Sequence, residues 1–267
     1  MDETKITRSS LRQLEFLAAE LPPRDLDVLQ IVEERRYITS GQVRRLRFDG
    51  EAGSPGSAQR IANRVLQRLN GHGLIVPLDR RIGGVRGGSG KNVWALTPAG
   101  FRLLHLYDEG LPRKRGFEPS RRFEAHTLAI AELDAQLRGI AGVTVTQAQF
   151  EPACWREYNG RRLKPDYFVV TCCGDYEDFW FFEIDLATET PSQIVLKCEQ
   201  YQDYYSSGTE QRASGVFPRV VWVVPDGKRR AAIERHIRAS RTLRQKDLFL
   251  IVLPDELEHT IREGAAL

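Results

Sequence analysis

The sequence predicts a mixed α/β chain of two domains. The first is a set of short helices closed by a β-hairpin; the second is a mixed sheet flanked by helices. Three observations predict it. Three short helical patterns in the first seventy-odd residues are followed by two short strands around a glycine-rich turn. After about residue 120, strand and helix patterns alternate. Between them lies a stretch of prolines, glycine and consecutive cations, which is linker composition. A chain of 267 residues has room for two modest domains, and a hydrophobic fraction of 41% supplies a core for each.

Each element has its own local reason. Over residues 24–37, Leu26, Leu29, Ile31, Val32 and Tyr37 suit one helical face, and Pro22-Pro23 sets the start. Thr39 or Ser40 is placed to cap a second helix with Val43, Leu46 and Phe48, ending before a loop at 49–56. Ser57 is expected to cap a third, in which Ile61, Val65, Leu66 and Leu69 face inward. Gln59, Arg60, Asn63, Arg64, Gln67 and Arg68 occupy its other face, and it stops at Gly71 and Gly73. Residues 74–82 read as a strand, 83–90 as the glycine-rich turn and 91–96 as the returning strand; Thr97-Pro98-Ala99-Gly100 opens a helix through Tyr107. The linker at 111–119 divides the chain into domains 1–115 and 116–267. Beyond it the pattern gives a helix at 121–138 and strands at 143–150, 164–170 and 179–186. A helix at 191–205, a buried strand at 220–224, a helix at 229–241 and a buried strand at 248–253 follow.

Charge separates the two parts. Residues 1–115 carry 20 Lys and Arg against 13 Asp and Glu, the remainder 19 against 23. Within residues 35–91 the imbalance is 12 to 3, and 11 of the 12 cations are arginine. Arginine forms bidentate hydrogen bonds with phosphate and with guanine edges, so this stretch points to nucleic acid. Three short helices followed by a basic hairpin is the order of a winged helix-turn-helix. In that arrangement Arg60, Asn63, Arg64, Gln67 and Arg68 would enter a major groove on the third helix. Arg80, Arg81, Arg86 and Lys91, around the glycines, would reach phosphates or a minor groove from the wing. Double-stranded DNA is the expected partner.

In the second part the chemistry lies in carboxylates. Asp166 follows a proline at a strand edge; Glu183 and Asp185 emerge two apart from the run Phe179-Trp180-Phe181-Phe182, so both are expected on one face. Burying such acids is costly without a cation or hydrogen bonds. Mg2+, a hard cation taking one or two carboxylates plus phosphate, is the cofactor such a cluster would hold through Asp166, Glu183 and Asp185; otherwise none is expected. The competing reading pairs these acids with arginines such as Arg161 or Arg162.

Pro165-Asp166 and Glu183 resemble the PD-(D/E)xK nuclease superfamily, in which an acid-x-Lys on the second strand holds metal and activates water. Here the position two after Glu183 is Asp185 rather than lysine. The resemblance implies that Lys197, one helix later, reaches back as a migrated lysine, with Asp166, Glu183 and Lys197 as the catalytic set of an active enzyme. Tyr201 shares the helical face of Lys197. The whole chain resembles the replication-relaxation family through His126-Thr127-Leu128-Ala129-Ile130-Ala131-Glu132-Leu133, Lys164-Pro165-Asp166, Phe182-Glu183-Ile184-Asp185-Leu186-Ala187-Thr188-Glu189 and Lys197-Cys198-Glu199-Gln200-Tyr201. That resemblance implies a DNA-binding accessory protein of plasmid or mobile-element replication or conjugative mobilisation. It would work with a relaxase or replication initiator, carry a degenerate nuclease-like domain, and be open to homodimer formation. The alternatives are a Mg2+-dependent endonuclease directed by the winged helix, and a winged-helix transcriptional regulator.

Other classes fit poorly. The longest apolar run is the six residues 248–253, far short of the ~20 that span a bilayer, and the charged N-terminus has no signal-peptide pattern. Four cysteines, two of them adjacent, form neither a disulfide framework nor a zinc spacing. A reduced, cytoplasmic protein is expected. Tyr201, Tyr204 and Tyr205 read as packing and polar contacts; five scattered histidines do not supply a relaxase metal cluster.

Overall fold

The computed structural model describes residues 10–82, 91–106 and 121–265. Along the chain the helices are α1 (Leu11–Glu20), α2 (Pro23–Arg35), α3 (Ser40–Arg47), α4 (Pro55–Gly71), α5 (Pro98–Leu104), α6 (Arg121–Leu137), α7 (Pro191–Ser207), α8 (Thr209–Ser214), α9 (Gly227–Ala239) and α10 (Leu257–Glu263). The strands are β1 (Tyr37–Thr39), β2 (Ile75–Ile82), β3 (Lys91–Leu96), β4 (Val143–Phe150), β5 (Arg156–Tyr158), β6 (Arg161–Leu163), β7 (Tyr167–Cys173), β8 (Tyr176–Ile184), β9 (Arg219–Val223) and β10 (Phe249–Val252). They form two compact units, residues 1–135 and 136–267.

In the first unit the caps decide where helices begin. Thr39 and Gln42 exchange hydrogen bonds at the start of α3, Thr39 N–H to Gln42 Oε1 at 2.8 Å and Gln42 N–H to Thr39 Oγ1 at 3.2 Å. Ser54, not the expected Ser57, caps α4, because Pro55 fills the first helical position and Ser57 N–H donates to Ser54 Oγ at 3.2 Å. The second helix ends at Arg35 rather than Tyr37, since Arg36 turns to φ 62° and Tyr37 joins a strand. A three-stranded antiparallel sheet follows the order β1-β3-β2, with Ile38 opposite Trp94 and Leu78 opposite Val93. Val28, Leu29, Val32, Ile38, Val65, Leu66 and Leu69 make the core between helices and sheet. A Cβ on Gly100 would lie 2.1 Å from the Leu74 carbonyl oxygen, so only glycine lets α5 settle there.

Helix α6 belongs to this unit up to Ala135. The buried Arg35 donates through Nε to the buried Asp134 at 2.9 Å and through Nη2 to the same oxygen. Gln42 Nε2 donates to Leu128 O and to Glu132, each at 3.1 Å, and Arg45 Nη1 donates to Glu132 at 2.8 Å. Tyr37 and Phe123 meet edge to face at 6.1 Å beside Val93 and Leu128. The expected boundary at residue 115 falls outside the described residues, as does the linker at 111–119. These contacts fasten α6 to the helices before it, and the two compact units divide after Ala135.

In the second unit a five-stranded sheet has the order β10-β9-β8-β7-β4; the pairs β10–β9 and β9–β8 are parallel, while β8–β7 and β7–β4 are antiparallel. The mixed sheet is the fold class the sequence predicts. Its parallel pairs follow from α7 and α9, which return the chain in the same direction. Phe168, Phe181, Val220 and Trp222 pack with Ile194, Cys198, Tyr201, Ile233 and Ile237. Thr190 and Gln193 form a capping box that starts α7 after Pro191 takes its first position.

Candidate functional site

Two groups of charged side chains stand out, one in each unit. On α4 the buried positions Ala58, Ala62, Val65, Leu66 and Leu69 turn one face to the core. The opposite stripe, Arg60, Asn63, Arg64 and Gln67, is exposed at the i, i+3, i+4, i+7 spacing of a single helix face. Arg60 Nη2 donates to Ser57 Oγ at 3.0 Å, and Gln59 Nε2 to Asn63 Oδ1 at 2.9 Å. Neither Arg60 nor Arg64 makes an ion pair among the described residues.

Arg68 is used differently. Its Nε and Nη2 donate in parallel to the two carboxylate oxygens of Asp25, both at 2.7 Å. Asp25 is fully buried in the first turn of α2. The guanidinium therefore neutralises an interior acid and ties α4 to α2, a role that its place on the expected outward face did not reveal. The wing cations are not testable in the same way. Arg80 and Arg81 fall within β2 and Lys91 begins β3, but their side chains, and all of Arg86, lie outside the described residues.

The second group sits where β8 ends. Glu183, the penultimate residue of β8, is 1% exposed and faces α7. Lys197 Nζ donates to Glu183 Oε2, and Tyr201 hydroxyl, one helical turn on, donates to Oε1 at 2.5 Å. Lys197 Nζ also lies 3.7 Å from Asp166 Oδ1, while Asp166 Oδ2 accepts Ile184 N–H at 2.8 Å. Asp166, Glu183 and Lys197, far apart in sequence, are thus brought together. Trp222, opposite Glu183 in the neighbouring strand, is buried beneath them, with the ammonium 5.9 Å from its ring centre.

The electrostatics follow from two acids sharing one ammonium. Burial, and then the nearby Asp166, push the Glu183 carboxyl well above its usual range, against the pull of Lys197 and Tyr201. Burial alone would lower Lys197, but Glu183 and Asp166 outweigh it and hold the ammonium charged. The Tyr201 phenol is driven up by burial and by the carboxylate it donates to.

Asp185 is held elsewhere. Arg229, on α9, grips it with Nε on Oδ2 at 2.5 Å and Nη2 on Oδ1 at 3.0 Å, and Ala187 N–H caps Oδ1 at 3.0 Å from a backbone with φ 58°. An arginine does pair with one of the acids, as the competing sequence reading has it, but it is Arg229. Arg161 pairs with Asp203, and Arg162 with Glu157. Among the described residues no group of three or more His, Cys, Asp or Glu could hold a metal ion. What remains, Asp166 and Glu183, still fits the donor chemistry of Mg2+, which takes one or two carboxylates and completes its shell with water and substrate phosphate.

Sequence reasoning left two partners unassigned. Tyr201, expected to make packing and polar contacts on the helical face of Lys197, holds Glu183 through its hydroxyl. Arg229 carried no local signal beyond an acid in need of a partner. The four cysteines are free thiols. Cys154 donates to Pro165 O at 3.0 Å, and burial, with Glu151 and Asp166 nearby, pushes its thiol up to about 12, so it is an inert neighbour of the cluster.

A family model described as replication-relaxation matches residues 29–220, a span that includes the α4 stripe and the Asp166–Glu183–Lys197 cluster. Comparison with curated proteins and with solved structures gave no match. Among the described residues no helix is long and apolar enough to cross a membrane.

Proposed function

The chain belongs to the replication-relaxation family, and from that premise we propose that it is a double-stranded DNA-binding accessory protein of plasmid or mobile-element replication or conjugative mobilisation. The observation that carries this reading is the exposed stripe Arg60, Asn63, Arg64 and Gln67 on a 17-residue helix that otherwise faces a core. In this reading the first unit is a winged helix, α4 its recognition helix, and β2 with β3 its wing. A groove-entering helix needs donors that match base edges and phosphates, and two guanidiniums with two carboxamides on one face supply them. Arg68 leaves the set of base-reading residues and becomes the strut that fixes the angle of α4. The second unit serves as a PD-(D/E)xK-like scaffold, and a relaxase or replication initiator is the protein partner.

The test is a gel with supercoiled DNA of the host element, run with Mg2+, with Mn2+ and with chelator. Half of each sample is stripped of protein before loading, so that retardation and nicking are read apart. Retardation in every lane, lost in Arg60→Ala with Arg64→Ala, is the expected result; unchanged retardation in that variant would remove α4 from the interface.

One observation favours a second reading, a Mg2+-dependent endonuclease: Asp166, Glu183 and Lys197 converge although the strand lysine is absent. Asp166 and Glu183 would hold the ion, which when bound polarises a phosphate and lowers the pKa of water. Lys197, already charged in place, would face the phosphate's negative charge, and Tyr201 would keep Glu183 oriented. Nicking in the Mg2+ lane that disappears in Asp166→Ala would make this the main reading.

A further inference from the structure

Residues 227–246 hold eight Lys and Arg against the single acid Glu234, inside a half of the chain whose net charge is negative. This run lies beyond the stretch matched by the family model and was not part of the sequence-based expectation. Two of its cations are spoken for, Arg229 by Asp185 and Arg230 by Glu256. Lys228, Arg235, Arg238, Arg241 and Arg244 are exposed, and none makes an ion pair among the described residues.

The run does not simply trail across the surface, because the turn after α9 is built. Ser240 Oγ accepts the N–H groups of Thr242 and Leu243, both at 3.3 Å, and Leu243 is buried. Gln202, on α7, accepts Arg244 N–H at 2.5 Å and Gln245 N–H at 3.1 Å, and donates to Thr242 O at 3.1 Å. One side chain thus fixes three residues of the turn, Thr242, Arg244 and Gln245. Between that turn and α7 lies a cavity of about 540 Å3, lined by Gln202, Ser206, Arg241, Thr242, Arg244 and Gln245. Small-molecule pockets span about 300–1,000 Å3 but are mostly apolar. This one is of that size, yet every lining residue is polar and two carry guanidinium groups.

Two acids border the cavity from α7. Glu199 accepts a hydrogen bond from Thr242 Oγ1, and Asp203 is paired with Arg161. Neither reaches Arg241 or Arg244, whose charges are left to an outside anion. We infer that the second unit carries its own phosphate-backbone site for nucleic acid, centred on Arg241 and Arg244 at this cavity and extended by Arg235 and Arg238. This rests on the DNA-binding reading above and adds to it a second, sequence-independent point of contact. Guanidiniums on a pinned turn lose little freedom on meeting phosphate, and the cavity's amide and hydroxyl groups add neutral hydrogen bonds.

The experiment is titration of the full chain with a short duplex of arbitrary sequence over a series of KCl concentrations. Wild type is compared with Arg241→Gln/Arg244→Gln, with Arg241→Lys/Arg244→Lys and with Arg60→Ala/Arg64→Ala. Loss of two phosphate contacts makes the slope of log K against log salt shallower by about 2 and weakens binding roughly tenfold or more at low salt. The glutamine variant should show that change on any duplex, and the lysine variant should keep the wild-type slope because it keeps the charges. A glutamine variant with the wild-type slope overturns the inference, and so does a lysine variant as weak as the glutamine one. If Arg60→Ala/Arg64→Ala alone weakens binding, the α4 reading stands while this site falls. If wild type itself does not bind the duplex at low salt, the DNA-binding reading falls with it.

Discussion

Arg60 and Arg64 on α4 stand exposed with no ion pair among the described residues, whereas Asp166, Glu183 and Lys197 at the end of β8 are largely enclosed and engage one another. The first group is charge kept in water, which contributes little to folding and is available to a ligand. The second is charge removed from water, which the fold must satisfy internally. Arg68 shows that the distinction is not one of residue type or even of helix. One turn after Arg64, the same side chain, half-buried, turns onto α2 because the buried Asp25 waits for it there.

Four substitutions break or sharpen this contrast. The largest effect is expected for Lys197→Met, which strands two carboxylates, one of them 1% exposed. Removing one partner of a buried ion pair costs about 3–5 kcal/mol, so urea denaturation should show most of that loss, and a loss within ~0.5 kcal/mol would place the cluster with the surface pairs. The pH dependence has a definite sign. The folded-state pKa of Lys197 lies above its unfolded value near 10.5, so its stabilisation is complete below that pH and is lost as pH climbs through the folded value. Lys197→Met should therefore lack that part of the alkaline fall in stability.

Next comes Arg60→Ala with Arg64→Ala, which should leave stability within about 0.5 kcal/mol and weaken specific DNA binding by about 2–3 kcal/mol. Fluorescence anisotropy on a specific site, beside a melting curve, checks both halves. Arg68→Ala should invert the pattern. We expect about 2 kcal/mol of lost stability from a buried acid deprived of its bidentate donor, with DNA affinity of the folded fraction changed less than about threefold. A large loss of affinity at unchanged stability would return Arg68 to the interface. The smallest effect belongs to Thr39→Ala, which removes the cap of α3 and should cost about 1 kcal/mol in the same denaturation assay.

Much of the fold was legible because its signals are local. The bounds of β3 and β4 and the start of α7 follow from alternation, from Pro191 and from a Thr-x-x-Gln box, all contained in a few adjacent residues. The three-residue strands β1, β5 and β6 were not, since three residues carry no measurable period. The site divides along the same line. Asp166 and Glu183 announced themselves as acids where a strand had no packing use for them, and Lys197 entered only through the superfamily resemblance. Their sorting into partners was hidden, because Asp185 meets Arg229 44 positions later and Asp25 meets Arg68 43 positions later. Pairing at that distance is decided by the fold, and no window along the chain contains both members.

The attachment of α6 to the first unit bears on how the molecule can be dissected. A fragment cut at residue 115, where the composition invites it, would lose Asp134 from Arg35 and Glu132 from Arg45 and Gln42, and would open the face that holds Tyr37 and Val93. A fragment running through Leu137 keeps them all. Limited digestion should accordingly yield an N-terminal piece whose folded form ends after α6, about twenty residues beyond the cut that the linker composition invites.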